Sequence, residues 1–160
     1  MNMAWGAICS NNMVALNISE GHKTAKNIKE RGTFTLSIAD VDHLEESDFF
    51  WTASGNNMED KFERTGMHAV KSSRVDAPII EEYPLTLECK VVELQNETYG
   101  FRVLGEIVNV VADEKVLDEN GKVAPTKLNA FVFDQFQNEY YEIGKKVGTA
   151  WKSGKKFMDK

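Results

Sequence analysis

The sequence predicts a single, mainly β domain, and three observations lead there. Short extended segments rich in β-branched and aromatic residues dominate the chain, most of them bounded by Gly, Asn, Asp or Pro. One segment alternates cleanly, with Leu85, Leu87, Cys89 and Val91 against Thr86, Glu88 and Lys90, the pattern of a strand with one face buried and the other wet. Helical stretches are too few and too short to alternate with the strands as a doubly wound parallel sheet requires.

The chain has 160 residues, 42% of them hydrophobic, which suits one core. It carries no internal repeat, low-complexity tract or linker, so residues 1–160 read as one unit. Taken in order, strands are expected over 3–9 and 13–18, then a helix from His22 to Arg31 stopped by Gly32. A strand follows over 33–39. Asp42, with Glu45 three residues on, reads as the capping pair of a helix reaching about Phe50, and a further short helix over 59–65 stops at Gly66. Strands over 67–70, 85–94, 99–112 and 131–133 complete the core, with turns at Gln95, Asn96 and Glu97 and again from Asp118 to Gly121. The strand over 99–112 is apolar on both faces, Val103, Ile107 and Val111 on one and Leu104, Val108 and Val110 on the other. Such a strand needs two cores, an interior and either a subunit contact or a covering helix, and a dimer is the expectation.

Charge and motif content exclude several function classes. The formal charge of −6 argues against a phosphate-backbone binder. Its distribution is uneven: residues 145–160 hold six Lys and one Asp, a net +5, leaving −11 on residues 1–144. Val147, Trp151 and Phe157 punctuate that basic end, which reads as a final amphipathic helix. No apolar run approaches the ~20 residues of a membrane span, and the start lacks the basic stretch of a signal peptide. Cys9 and Cys89 have no metal or dithiol spacing and read as reduced, buried thiols of a cytoplasmic protein. There is no GxSxG, GxxxxGK[ST] or GxGxxG, and no metal site is expected. His43 and His68 read as surface or structural residues.

Three stretches do carry potential chemistry. Trp5, Gly6 and the polar strand end at Ser10 and Asn11 offer a close approach to a flat ligand and polar groups for its edge. His22, Lys23 and Thr24 open a helix, where unpaired N–H groups, the dipole and cationic side chains suit an anion. Ser54 and Gly55 form a loop feeding Lys61 towards the same place. Each stretch also has an ordinary structural explanation: a core Trp before a turn, a solvated helix start, a Lys paired with Asp60 or Glu63.

Together, residues 3–12, 18–28, 52–66, 77–90 and 104–121, in this order and spacing, resemble the flavin reductase-like or flavoredoxin family of FMN-binding split barrels. The resemblance implies a six-stranded Greek-key split β-barrel with short crossover helices, a homodimer, and FMN near the subunit interface. It sets the stretch from Trp5 through Gly6 and Ser10 to Asn11 beside the isoalloxazine, and His22, Lys23 and Thr24 at the phosphate and ribityl end, with Ser54, Gly55 and Lys61 beyond. Tyr140 or Tyr141 is expected to cover the ring from the C-terminal side, and Lys61 and His22 to stabilise the charge of the reduced ring. The implied activity is electron transfer from NAD(P)H through bound FMN, with a protein electron acceptor as a possible partner and neither nucleic acid nor membrane involved. A non-enzymatic FMN-binding electron carrier and a cofactor-free β-barrel interaction module are the alternatives. The chain departs from the family pattern in having Asn12 and Met13 where a Pro pair is usual, and Lys23 where the phosphate loop usually has Arg. It also begins at the segment that relatives precede with a further strand, so an open sheet edge is expected beside the flavin slot.

Overall fold

The computed structural model describes residues 1–98 and 100–158. Tyr99, where one long strand was expected to begin, and residues 159–160 of the expected final helix lie outside the described residues.

The expected strands form, with shifted ends. β1 (Trp5–Ser10) and β2 (Met13–Ile18) make an antiparallel hairpin, and β1 pairs with nothing else among the described residues. All six residues of β1 are exposed. α1 (Lys23–Arg31) buries Ala25 and Ile28, three apart on one face. It ends where Gly32 takes φ 65° and donates its N–H to the Ile28 carbonyl at 2.9 Å, a left-handed cap for which Gly has no steric cost. β3 (Thr33–Ile38) follows, then α2 (Leu44–Thr52), the short ribbon of β4 (Ala69–Lys71) and β5 (Pro78–Ile80), and the long hairpin of β6 (Leu85–Glu97) and β7 (Gly100–Ala112). A four-residue α3 (Pro125–Leu128) leads to a second ribbon, β8 (Phe131–Asp134) and β9 (Glu139–Glu142).

The main sheet is antiparallel with strand order β1-β2-β7-β6-β3. It has five strands among the described residues, one fewer than the resemblance implied. Val14, Leu16, Ile18, Phe34, Cys89, Phe101 and Val103 fill its inner face beneath α1. Gly105 is required there: a Cβ on it would lie 2.5 Å from the Phe34 ring. A second cluster of Phe50, Met67 and Ile80 joins α2 to the first ribbon, and a third of Val116, Leu128 and Ala130 closes the far end.

Several local expectations are corrected. Thr86 and Glu88, assigned to a wet face, are each 1% exposed, while Lys90 is exposed as expected. Residues 72–78 fold over that face: Ser72 and Asn109 donate hydrogen bonds to the Glu88 carboxylate, Ser37 and Thr86 share a hydroxyl pair at 2.8 Å, and Thr35 donates to the Pro78 carbonyl at 2.6 Å. Alternation reports which residues share a face, and a covering segment that is itself polar hides that face from sequence inspection. Burial raises the pKa of Glu88, but the bonds from Ser72 and Asn109 and the charge of Arg74 outweigh it and leave the carboxyl below its ordinary value.

Gln95, Asn96 and Glu97 are paired strand rather than turn, opposite Arg102, Phe101 and Gly100. Asp42 does not cap α2; it sits in a 3-10 turn, Val41–His43, in which the buried Asp40 pairs with His43 at 2.6 Å. Of the helix over 59–65 only the 3-10 turn Glu63–Thr65 forms before Gly66. The amphipathic C-terminal helix is absent over the described residues, where turns and a 3-10 piece, Lys155–Phe157, take its place. Gly144, Gly148 and Gly154 each cost about 1 kcal/mol relative to Ala in a helix, and the apolar side chains find no surface against which to recover it.

Candidate functional site

Two adjoining recesses meet at Asn2, His22 and Trp51, one polar and one of mixed lining in which Trp5, Trp51 and Phe101 supply aromatic walls. The polar recess, about 150 Å³, is lined by His22, Lys23, Thr24, Ser54, Gly55 and Lys61. The sheet sets up this meeting: β2 runs to Ile18, the chain turns through Ser19 with His22 N–H donating to the Ser19 carbonyl at 3.1 Å, and α1 starts with its N-terminus facing the loop after α2. Asn56 clamps the two, donating through Nδ2 to the Gly21 carbonyl at 2.7 Å.

The α1 N-terminus is unfinished. His22 occupies the cap position in extended conformation (φ −73°, ψ 142°), makes no side-chain cap bond, and no acidic residue sits in the first turn. The His22 Nδ1 atom is buried without a hydrogen-bond partner. A buried polar atom without a partner is costly, so a ligand atom accepting from or donating to Nδ1 would remove that cost. The helix dipole and Lys23 make the expected ligand an anion.

Lys61 stands in the recess but is committed elsewhere. It is 5% exposed, and its ammonium donates to the carbonyls of Phe50 (2.8 Å), Ala53 (2.6 Å) and Met1 (3.0 Å). Burial lowers its pKa from the usual lysine value. All three N–H groups are used, so its influence on an anion here is through charge and through holding residues 52–55 in place.

The wider chamber, about 450 Å³, is walled by Trp5, Asn17, Ser19, Trp51, Thr98 and Phe101. Trp5 packs edge-on to Trp51 (centroids 5.7 Å, 87°) and to Phe133 (5.7 Å, 63°), and Trp51 meets Phe133 at 4.9 Å. Trp5 is 51% exposed, with an apolar face left over for something flat. Gly100, at φ 143°, brings the start of β7 against Ile18; a Cβ there would sit 2.4 Å from the Ile18 carbonyl oxygen.

The structure therefore gathers Trp5, His22, Lys23, Thr24, Ser54, Gly55 and Lys61 around one cleft. Gly6 answers to packing, since a Cβ on it would lie 2.6 Å from Leu16 Cδ2. Ser10 and Asn11 sit at the hairpin tip and line neither recess. That tip is five residues from Trp5, roughly 17 Å along the strand at about 3.4 Å per residue. Tyr140 and Tyr141 line neither recess. Tyr140 instead donates to Asp48 Oδ1 at 2.6 Å and packs on Phe131 and Phe133, which braces the β8–β9 ribbon behind the aromatic wall. Tyr141 turns to Glu139. Trp51 and Phe101 were missed; Trp51 directly precedes the Thr52 to Gly55 loop, a position that marks it as a neighbour of whatever that loop binds.

Comparison with known proteins identifies the family and the fold. The family described as "Flavin reductase like domain" matches residues 1–135. The flavoredoxin of Desulfovibrio vulgaris (Miyazaki F) superposes with a TM-score of 0.87 at 32% identity, over 94% of this chain and 81% of that one. A flavoredoxin from Methanosarcina acetivorans superposes with a TM-score of 0.88 at 26% identity, over 96% and 82% of the two chains. A split-barrel protein from Shewanella frigidimarina, at 23% identity and a TM-score of 0.78 over 92% and 75%, speaks to the fold alone. The anion-ready helix start, the aromatic chamber beside it and the antiparallel sheet that joins them thus belong to a split-barrel member of the flavin reductase-like family.

Proposed function

We propose that this chain binds FMN and works as an NAD(P)H-dependent flavin reductase. The observation that carries the reading is the buried, partnerless His22 Nδ1 at the uncapped start of α1, beside Lys23 and opening into a chamber walled by Trp5 and Trp51. Bound FMN would supply acceptance of two electrons from a reduced nicotinamide and their onward passage. The chain's residues do the rest. His22, Lys23 and Thr24 hold the phosphate, with Ser54 and Gly55 across from them. Lys61 keeps that loop in position and adds positive potential. Trp5 and Trp51, backed by Phe133, would keep water from one side of the ring system.

An electron-carrier role without reductase turnover is the second reading, favoured by the likeness to two flavoredoxins. Two further parts of the reading have their own support. A homodimer is supported by the exposed Val92, Val108, Val110 and Val111 on the β6–β7 hairpin. A cytoplasmic location is supported by two unbridged cysteines; separately, no helix among the described residues is long and apolar enough to cross a membrane.

The test compares FMN with riboflavin by fluorescence titration. FMN should bind at least tenfold more tightly, and His22→Ala should erase most of that preference, about 1–3 kcal/mol for a charge-assisted contact. Equal affinity for the two flavins would refute the phosphate assignment. Steady NAD(P)H oxidation with an added acceptor separates reductase from carrier.

A further inference from the structure

The last tie between the C-terminal segment and the body is the Ile143 N–H, which donates to the Ala130 carbonyl at 3.2 Å. Beyond it, every hydrogen bond among the described residues is internal to the segment, such as Ser153 N–H to Thr149 O and Phe157 N–H to Gly154 O. Yet the segment is far from purely polar. Val147, Trp151, Phe157 and Met158 are 96%, 93%, 70% and 79% exposed, interleaved with Lys145, Lys146, Lys152, Lys155 and Lys156. Exposed apolar residues grouped within a basic frame mark a contact surface rather than a solvated tail. The segment also lies beyond residues 1–135, which the family matches.

We propose that this segment is a strap that docks on a second copy of the chain, at the free edge of β7. The proposal rests on the homodimer reading above and specifies how the two copies hold each other. Charge favours it, with +5 on residues 145–160 against −11 on residues 1–144. Reach permits it: residues 144–158 extend up to about 50 Å at about 3.3 Å each, more than the roughly 40 Å breadth expected of a domain this size.

The receiving edge has the complementary chemistry. β2 leaves β7 after Met13 opposite Glu106, so among the described residues the end of β7 from residue 108 onward pairs only with β6. Val108, Val110 and Val111 are exposed there, flanked by the exposed Glu106, Asp113 and Glu114; Lys115 pairs with Asp113 at 3.3 Å, which leaves Glu106 and Glu114 as the carboxylates that face the basic segment. An apolar strand edge between carboxylates suits an extended basic segment carrying Val and Trp.

The experiment places the photo-crosslinking amino acid p-benzoylphenylalanine at position 151 of the full chain, where the native side chain is almost fully exposed and replacement leaves the fold intact. Equal amounts of 14N- and 15N-labelled protein are mixed, irradiated and mapped by mass spectrometry, with sedimentation velocity in parallel. The expected result is hybrid crosslinks to residues 106–114 of the other copy. In unlabelled protein, a Trp151→Ala, Lys155→Glu, Lys156→Glu variant should raise the dimer dissociation constant at least tenfold. A dimer whose crosslinks stay within one chain, or fall elsewhere on the partner, overturns the strap and leaves the dimer reading standing. A monomer at tens of micromolar overturns both. Recruitment of the protein to phosphatidylserine vesicles without hybrid crosslinks also overturns it, by assigning the segment to an anionic surface.

Discussion

Replacing Lys61 with Met tests whether this buried lysine is a brace or a phosphate ligand. Met keeps the length and apolar stem but removes the ammonium, leaving the Phe50 and Ala53 carbonyls at the end of α2 and the Met1 carbonyl without their donor. A hydrogen bond to a charged group contributes about 1.5–3 kcal/mol net, so three suggest a large loss. Against that stands the cost of holding an ammonium at 5% exposure, which the downward shift of its pKa reflects and which Met does not incur. The balance is a destabilisation of about 2–4 kcal/mol, smaller than the three bonds taken at face value. Urea unfolding of the flavin-free protein, followed by tryptophan fluorescence, reads it directly. Apo Lys61→Met as stable as the parent, or more so, would refute the brace, because a cation waiting for an absent phosphate is relieved by its own removal.

Two further outcomes follow from the buried groups. Burial, and then the neighbouring charge of Glu88, push the Cys89 thiol up to about 12, whereas Cys9, expected from the sequence to be buried as well, is exposed on β1 because nothing covers that strand among the described residues; Ellman's reagent at pH 8 should therefore titrate one thiol quickly and the second only after denaturation. Burial and the bond to Asp48 raise the Tyr140 phenol to about 12, above its unfolded value near 10. Its contribution is therefore complete below pH 10 and is lost as pH rises towards 12. Tyr140→Phe should be less stable than the parent at pH 8, and the gap between their urea midpoints should narrow by pH 11; a constant gap would disprove the linkage.

What the sequence disclosed, and what it hid, follows from how far each signal reaches. Strand identity was legible because β-branched runs between turn residues are a local property, and the stop of α1 was legible in Gly32. The polar half of the cleft was readable too, since His22, Lys23 and Thr24 announce a helix start by themselves. The commitments of Lys61 were not, because its partners are carbonyls contributed by residues 1, 50 and 53 that no side-chain pattern records. That Ser10 and Asn11 lie away from the cleft was not legible, because a strand has two ends and composition does not say which one borders a recess. Thr86 and Glu88 misled for a related reason: their alternation was real, but the covering loop between β4 and β5 comes from residues 72–78, and nothing in β6 tells that it will be covered.

The carboxylate of Glu88 makes that covering loop an all-or-nothing attachment. Apolar contact tolerates sliding, since one methyl group serves nearly as well as the next. A hidden anion gripped by one hydroxyl from the loop and one amide from the neighbouring strand has a single acceptable alignment, and any offset strands a charge in a dry place. The small loop thus behaves like a keyed part: it seats in one position or comes away whole, and it carries with it the order of everything threaded between residues 69 and 80.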